Sequence, residues 1–181
     1  MRRIFILALF FALSAGWAWA KGPTRIIEGT VSKVSDGDTV QVQDALGTRV
    51  KVRLYGIDAP ETEKRNRKTG RVSKPGQPYG EEAFQALKGK IGGQRVTVEV
   101  RDIDRYRRAV SVVRLGRRDI NQEMVREGVA WAYRQYLERP YASNYIQTEE
   151  EARRQRRGLW RQENPQPPWE FRRMQKKDGI R

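Results

Sequence analysis

The chain contains no histidine and no cysteine. Without cysteine there is no disulfide framework, no thiolate nucleophile and no zinc site of the usual sulfur kind, so stability has to come from packing. Without histidine, the commonest base and metal ligand near neutral pH is missing as well. Long apolar runs are scarce too. The one clear run, IFILALFFALSAG at residues 4–16, follows Met1-Arg2-Arg3 and precedes Ala18-Trp19-Ala20. A positive start, an apolar stretch short for a membrane span and a small-x-small site read as a cleaved signal peptide over residues 1–20, with a retained anchor as the competing reading. Export to the periplasm or the medium is therefore expected, with no stable membrane insertion after cleavage.

Acidic residues are also in short supply. Asp and Glu number 22 against 37 Lys and Arg, and the formal charge is +15. An excess this large, with arginine dominant over lysine, points to a polyanionic partner. Nucleic acid fits better than a membrane surface, because the sequence after residue 20 shows no amphipathic helix with a lipid-seeking apolar face. Residues 21–160 suffice for one domain with its own core, and a monomer is expected.

What is present is mostly period-two patterning. Residues 24–55 read as three strands separated by Asp36-Gly37-Asp38 and Leu46-Gly47, with Ile27, Val31 and Val34 as core positions. Residues 62–78 read as a long basic loop. Tyr79 to Ile91 reads as a helix that presents Ala83, Phe84, Leu87 and Ile91 on one face and stops at Gly92-Gly93. Two further strands, Arg95–Val100 and Ala109–Leu115, flank a charged turn. Asp119 is a helix N-cap with Gln122 in the capping-box position, and Gly128 ends that helix. Residues 129–136 read as extended. A charged helix runs over about Ser143 to Arg157, and the tail 161–181, rich in Pro, Gln and Arg, reads as extended or disordered. Five short strands with one helix between the third and fourth predict an α+β fold, a five-stranded OB-type Greek-key barrel with three helices.

The scarce carboxylates of the first half sit at strand ends: Asp36, Asp38, Asp58 and Glu61. Each alone is ordinary turn chemistry. If the barrel brings them together they repel one another unless a cation lies between them, and in a chain without His or Cys that cation is hard and oxygen-loving. Ca2+ is the first expectation, with Mg2+ or Mn2+ as substitutes. Arg53 in an apolar strand, and Arg107 and Arg108 after Tyr106, are either solvated faces or clamps on phosphate oxygens.

Three of these segments resemble the staphylococcal nuclease-like (thermonuclease) family: VSDGDTV at 34–40, VRLYGIDAPE at 52–61 and DRYRR at 104–108. QPYGEEA at 77–83, NQEMVREGVAWAY at 121–133 and EEARRQRRGLW at 150–160 fit the same pattern. The resemblance runs over about residues 25–160 and implies an OB-type barrel with three helices that hydrolyses DNA and RNA with Ca2+. By motif position it implies Asp38, Asp58 and the Ala59 carbonyl as metal ligands. Asp36 would shape the site nearby, and Glu61 would position or deprotonate the attacking water. Arg53 and Arg108 would hold the phosphate, with Tyr106 alongside. One departure stands out: Arg107 occupies a turn position where the family commonly has Gly. The basic loop 62–78 and Arg153 to Arg157 are expected on the nucleic-acid backbone, and Tyr79, Tyr133 and Tyr136 are candidates for stacking on bases or for core packing. Two other readings stay open: a binding module of the same fold without hydrolysis, and a basic envelope protein that adheres to anionic polymers.

Overall fold

The computed structural model describes residues 25–139, 141–177 and 179. The signal-peptide expectation lies outside these residues. The alternating first half forms β1 (Arg25–Asp36), β2 (Thr39–Asp44) and β3 (Arg49–Leu54), and two-residue β4 (Ile57–Asp58) follows directly. The stretch expected as a plain loop holds a small hairpin, β5 (Lys64–Arg65) with β6 (Val72–Lys74). Helix α1 (Gly80–Ile91) comes next, then β7 (Arg95–Ile103), β8 (Ala109–Leu115) and β9 (Arg118–Asp119). Helix α2 (Ile120–Arg126), β10 (Trp131–Ala132), α3 (Tyr141–Arg154) and α4 (Pro168–Lys177) complete the chain.

β1 is long enough to serve two partners. Its first half pairs with β7 and its second half with β2, and register irregularities after Val31 and Val34 bend it between them. The order β3-β2-β1-β7-β8 then closes, because β3 also pairs with β8 in parallel, Arg53 opposite Val110. Closure leaves the five-stranded barrel without free edges. Inward-facing Val31, Val40, Val42, Val52, Leu54, Val98 and Val113 fill it, and α1 lays Ala83, Leu87 and Ile91 against β1. The expected OB-type α+β barrel is what forms.

Two sequence expectations need correction. The described residues hold four α-helices, not three, and the fourth lies in the tail expected as extended or disordered. Pro168 starts α4 at a position where a missing N–H costs nothing. Residues 129–136 are only briefly extended: Trp131–Ala132 pairs with β4, and Arg134–Tyr136 makes a 3-10 turn. A second apolar cluster of Trp131, Ala152, Leu159 and Trp160 lies beyond the barrel, with Tyr79 and Trp169 packed on it. Asp119 caps α2 by accepting the Gln122 N–H at 2.9 Å, yet the Gln122 side chain reaches Thr148 instead of closing the capping box. No helix of the described residues is long and apolar enough to cross a membrane.

Candidate active site

The turn between β1 and β2 is set by close approach. A Cβ on Gly37 would stand 2.6 Å from the Ala83 Cβ and 2.7 Å from that of Ala59, so only glycine lets this turn meet α1 and the segment after β4. Asp38 is thereby pressed against that segment. Its Oδ2 accepts the Ala59 N–H at 2.9 Å and its Oδ1 accepts the Thr39 hydroxyl at 3.0 Å. Asp58 is fixed by the β4–β10 ladder, where it lies opposite Trp131, and it is completely buried. Glu61 is anchored through its backbone: its carbonyl accepts the Gln77 N–H at 2.8 Å, and a Cβ on Gly80 would strike that carbonyl at 2.2 Å.

Arg53 joins the carboxylates. Its Nη1 lies 2.9 Å from Asp38 Oδ2 and its Nη2 donates to Asp58 Oδ1 at 2.8 Å. The strand arginine is therefore not the outward-facing residue of an alternating pattern. It points into the cleft between two turns and is only 14% exposed along its side chain. Burial pushes Asp38 up to about 8 against the pull of Arg53, and the negative charges of Asp36 and Asp58 add to the rise. Asp36 behaves oppositely. Burial opposes its charge, but its hydrogen bonding with Asp38 and the cations Lys64 and Arg53 hold it below its ordinary value.

Two cations that the sequence reading did not single out complete the cluster. Lys74, at the end of β6, pairs with Glu61 Oε2. Arg172, from α4, donates from Nη2 to Asp58 Oδ2 at 2.7 Å and from Nη1 to Asp58 Oδ1 at 3.1 Å and Glu61 Oε1 at 2.9 Å. Burial alone would raise Glu61. Lys74 and Arg172 outweigh it and hold the carboxyl below its usual range. No apolar period marks either cation. The signal available was the demand of the acidic cluster for counter-charge, which says how many cations are needed but not which.

The turn with Arg108 is built apart from this cluster. Asp104 organises it, accepting the Tyr106 and Arg108 N–H groups at 2.9 Å each and Arg108 Nε at 2.7 Å. Arg108 is thus held by Asp104 and lies against the Tyr106 ring, which is itself exposed. The parallel β3–β8 pairing nonetheless seats Ala109 opposite Val52, so this turn starts its strand next to Arg53. Arg107 has φ 60°, the left-handed conformation that glycine adopts freely.

The expected nucleic-acid contacts are partly engaged within the fold. Arg153 lies over Trp160 and Trp131 and pairs with buried Glu149 at 3.4 Å, while Arg157 donates to the Arg126 carbonyl at 3.1 Å. Tyr79 packs on the second apolar cluster. Tyr133 stacks on Trp169, and Tyr136, more than half exposed, meets Tyr133 edge-on.

The donor set suits a hard cation. Asp38 and Asp58 reach one guanidinium, and Asp58 and Glu61 reach another, so the carboxylates are close enough to share a positive charge, and every side-chain acceptor is oxygen. In this arrangement they are divided between guanidiniums, and no three acidic side chains among the described residues gather as a metal cluster.

Residues 51–162 match the family model described as "Staphylococcal nuclease homologue". A micrococcal nuclease of Shigella flexneri is 38% identical over 168 residues, covering 88% of this chain and 85% of that protein. An uncharacterized endonuclease of Haemophilus influenzae is 33% identical over 170 residues, covering 94% of this chain and 84% of its own. An uncharacterized endonuclease of Escherichia coli O157:H7 is 38% identical over 147 residues, covering 81% of this chain and 85% of its own.

Proposed function

Since the chain belongs to the staphylococcal nuclease homologue family and shares its endonuclease class, we propose that it is an exported, Ca2+-dependent monomer that hydrolyses phosphodiester bonds in DNA and RNA with little sequence preference. The observation that carries this reading is the meeting of Asp38, Asp58, Glu61 and Arg53 in one cleft of a strongly basic protein. The basic surface gathers the polyanion, and the acidic cleft gathers the metal.

Asp38 and Asp58, with the Ala59 carbonyl, are the residues that would hold the ion, with Asp36 adding negative potential beside them. When bound, the ion neutralises the carboxylates and polarises a phosphoryl oxygen. Glu61 orients the attacking water and takes its proton as the water oxygen bonds to phosphorus and the ester oxygen departs. Arg53 and Arg108 grip the remaining phosphoryl oxygens, where planar guanidinium donors match the charge that grows in the transition state. Tyr106 flanks that phosphate position, and Arg107 adds cationic charge to the same turn. Nothing in this scheme requires a thiol, a serine or an imidazole.

The test is digestion of single-stranded DNA, duplex DNA and RNA in Ca2+, in Mg2+ and in EGTA, with Glu61→Gln in parallel. Cleavage that needs Ca2+, stops with EGTA and collapses in the variant is the expected result. Tight, salt-sensitive binding without cleavage under any metal overturns it.

A further inference from the structure

Helix α4 makes contacts that the proposed reaction does not use. With Arg172 docked, the carboxylate oxygens of the cleft are all engaged. Asp58 Oδ1 receives Arg53 and Arg172, and Asp58 Oδ2 receives Arg172. Glu61 Oε1 receives Arg172 and Oε2 receives Lys74. Asp38 Oδ1 receives Thr39, and its Oδ2 receives the Ala59 N–H and faces Arg53. Arg53, Lys74 and Arg172 thus each lie against at least one of Asp38, Asp58 and Glu61.

The same helix covers the neighbouring aromatic surface. Trp169 stacks on Tyr133 with ring centroids 5.2 Å apart and planes within 4° of parallel, as one flat aromatic ring does on another. It also meets Trp131 edge-on at 5.6 Å. Just before the helix, the Gln166 carbonyl accepts Gln77 Nε2 at 2.5 Å, and Gln77 Oε1 in turn receives the Glu61 N–H at 3.4 Å. The tail is thus fastened to the cleft at a cation position, at an aromatic platform and at the backbone of Glu61.

We propose that α4 is an autoinhibitory strap, with Arg172 occupying Asp58, which would hold the cation, and Glu61, which would orient the water, and with Trp169 occupying the face of Tyr133 that a nucleobase would take. The inference rests on the metal-dependent reading above. Buried Asp58 explains why the strap is exchanged rather than simply lost: stripped of Arg172, its carboxylate keeps only Arg53 as a counter-charge, and a divalent cation can supply the part that is missing. The helix is also built to leave. It has ten residues, only Pro168 is buried, and a helix shorter than about 12–15 residues is marginal by itself in water. Its order comes from docking, so a ligand that prefers the open cleft shifts the population toward release.

Titration calorimetry of the full chain with CaCl2 tests this, using wild type, Arg172→Gln and Trp169→Ala, together with amide hydrogen exchange over residues 166–177. Trp169 touches none of the carboxylates in the contacts above, so any gain in its variant has to come through release of the helix. We expect Ca2+ to bind about tenfold tighter in Arg172→Gln and about threefold tighter in Trp169→Ala, since each removes part of the cost of opening. Exchange in α4 should speed up when Ca2+ is added to wild type. Equal Ca2+ affinity in all three proteins, with α4 still protected, overturns the strap and leaves the metal reading standing. Tighter binding in Arg172→Gln alone, with α4 still protected, also overturns it, because removal of a nearby positive charge then suffices. No binding of Ca2+, Mg2+ or Mn2+ by any form overturns the metal reading and the strap together.

Discussion

Arg53 Nη2 donates to Asp58 Oδ1 at 2.8 Å, across the turn that ends β3. Asp58 stands five positions after Arg53, and the turn between β3 and β4 brings the acid back to the arginine. Because Arg53 Nη1 also reaches Asp38, one guanidinium serves two carboxylates. Arg53→Gln therefore leaves Asp58 with Arg172 alone and removes the guanidinium beside Asp38. A loss of about 3 kcal/mol in stability at neutral pH is expected by urea denaturation, because a buried charge stripped of its partner is costly. Cleavage should fall about a hundredfold or more even in conditions where the variant is fully folded, since a donor aimed at transition-state charge is gone. Added Ca2+ should return part of the lost stability by supplying the missing positive charge.

Arg107 tests the turn before Arg108. Its φ of 60° costs a non-glycine residue about 1 kcal/mol, and Asp104 holds the turn through the backbone of Tyr106 and Arg108 rather than through the Arg107 side chain. Arg107→Gly should raise stability by about 0.5–1 kcal/mol, visible as a higher urea midpoint, with cleavage retained because Arg108 keeps its Asp104 partner. A lower midpoint would show that the Arg107 side chain stabilises the turn through contacts of its own.

The same turn shows what the sequence could and could not convey. Alternation exposed β1, β2 and β3 because each has one face in the core, and the barrel followed from their order. Asp38, Asp58 and Glu61 were legible as carboxylates at strand ends, but their grouping with Arg53 came from the family resemblance, because spacing alone does not show convergence. The strained φ at Arg107 was legible as a glycine position occupied by another residue. Arg172 and Lys74 were not. Only Pro168 of helix α4 is fully buried, and its anchor is electrostatic and aromatic, so its sequence reads like a solvated basic tail. β4, β9 and β10 are two residues long each, too short for any period to show. The second half of the capping box failed because Thr148, from α3, offers Gln122 a competing partner that only the tertiary structure supplies.

Asn121 holds the barrel to α2 from a fully buried position. Its Nδ2 donates to the carbonyls of Tyr55 and Ser111 at 3.0 Å each, and its Oδ1 accepts the Val113 N–H at 3.0 Å. Asn121→Ala removes those partners in the interior. The Ser111 carbonyl still receives the Tyr55 N–H at 2.7 Å, so the loss concentrates on Val113 and on the Tyr55 carbonyl. A destabilisation of about 2–4 kcal/mol is expected from chemical denaturation, and Asn121→Asp should do no better, because an acid there has no amide hydrogens to donate. A change below about 0.5 kcal/mol would mean that the backbone finds other partners.

Glu123 gives the fold a pH dependence away from the active site. Arg118 binds it in bidentate fashion, Nε at 2.8 Å and Nη2 at 2.6 Å, and Lys90 adds a contact at 3.1 Å, joining α1, β9 and α2. The Arg118 hydrogen bonds lead in lowering the carboxyl from 4.5 to about 2; partial burial opposes them, and Lys90 adds to the lowering. A carboxyl with a depressed folded value binds its proton more readily when unfolded. Its contribution is therefore complete above pH 4.5 and is lost as pH falls toward about 2. Glu123→Gln should lower stability by about 1–2 kcal/mol at neutral pH, after allowance for solvent screening of the exposed Arg118 partner. The gap between wild type and variant should narrow steadily below pH 4.5, because only wild type has that proton to gain. Urea midpoints of both proteins across that range decide it: parallel curves would mean that Glu123 is ionised equally easily folded and unfolded, and that the three-way bridge contributes geometry without charge.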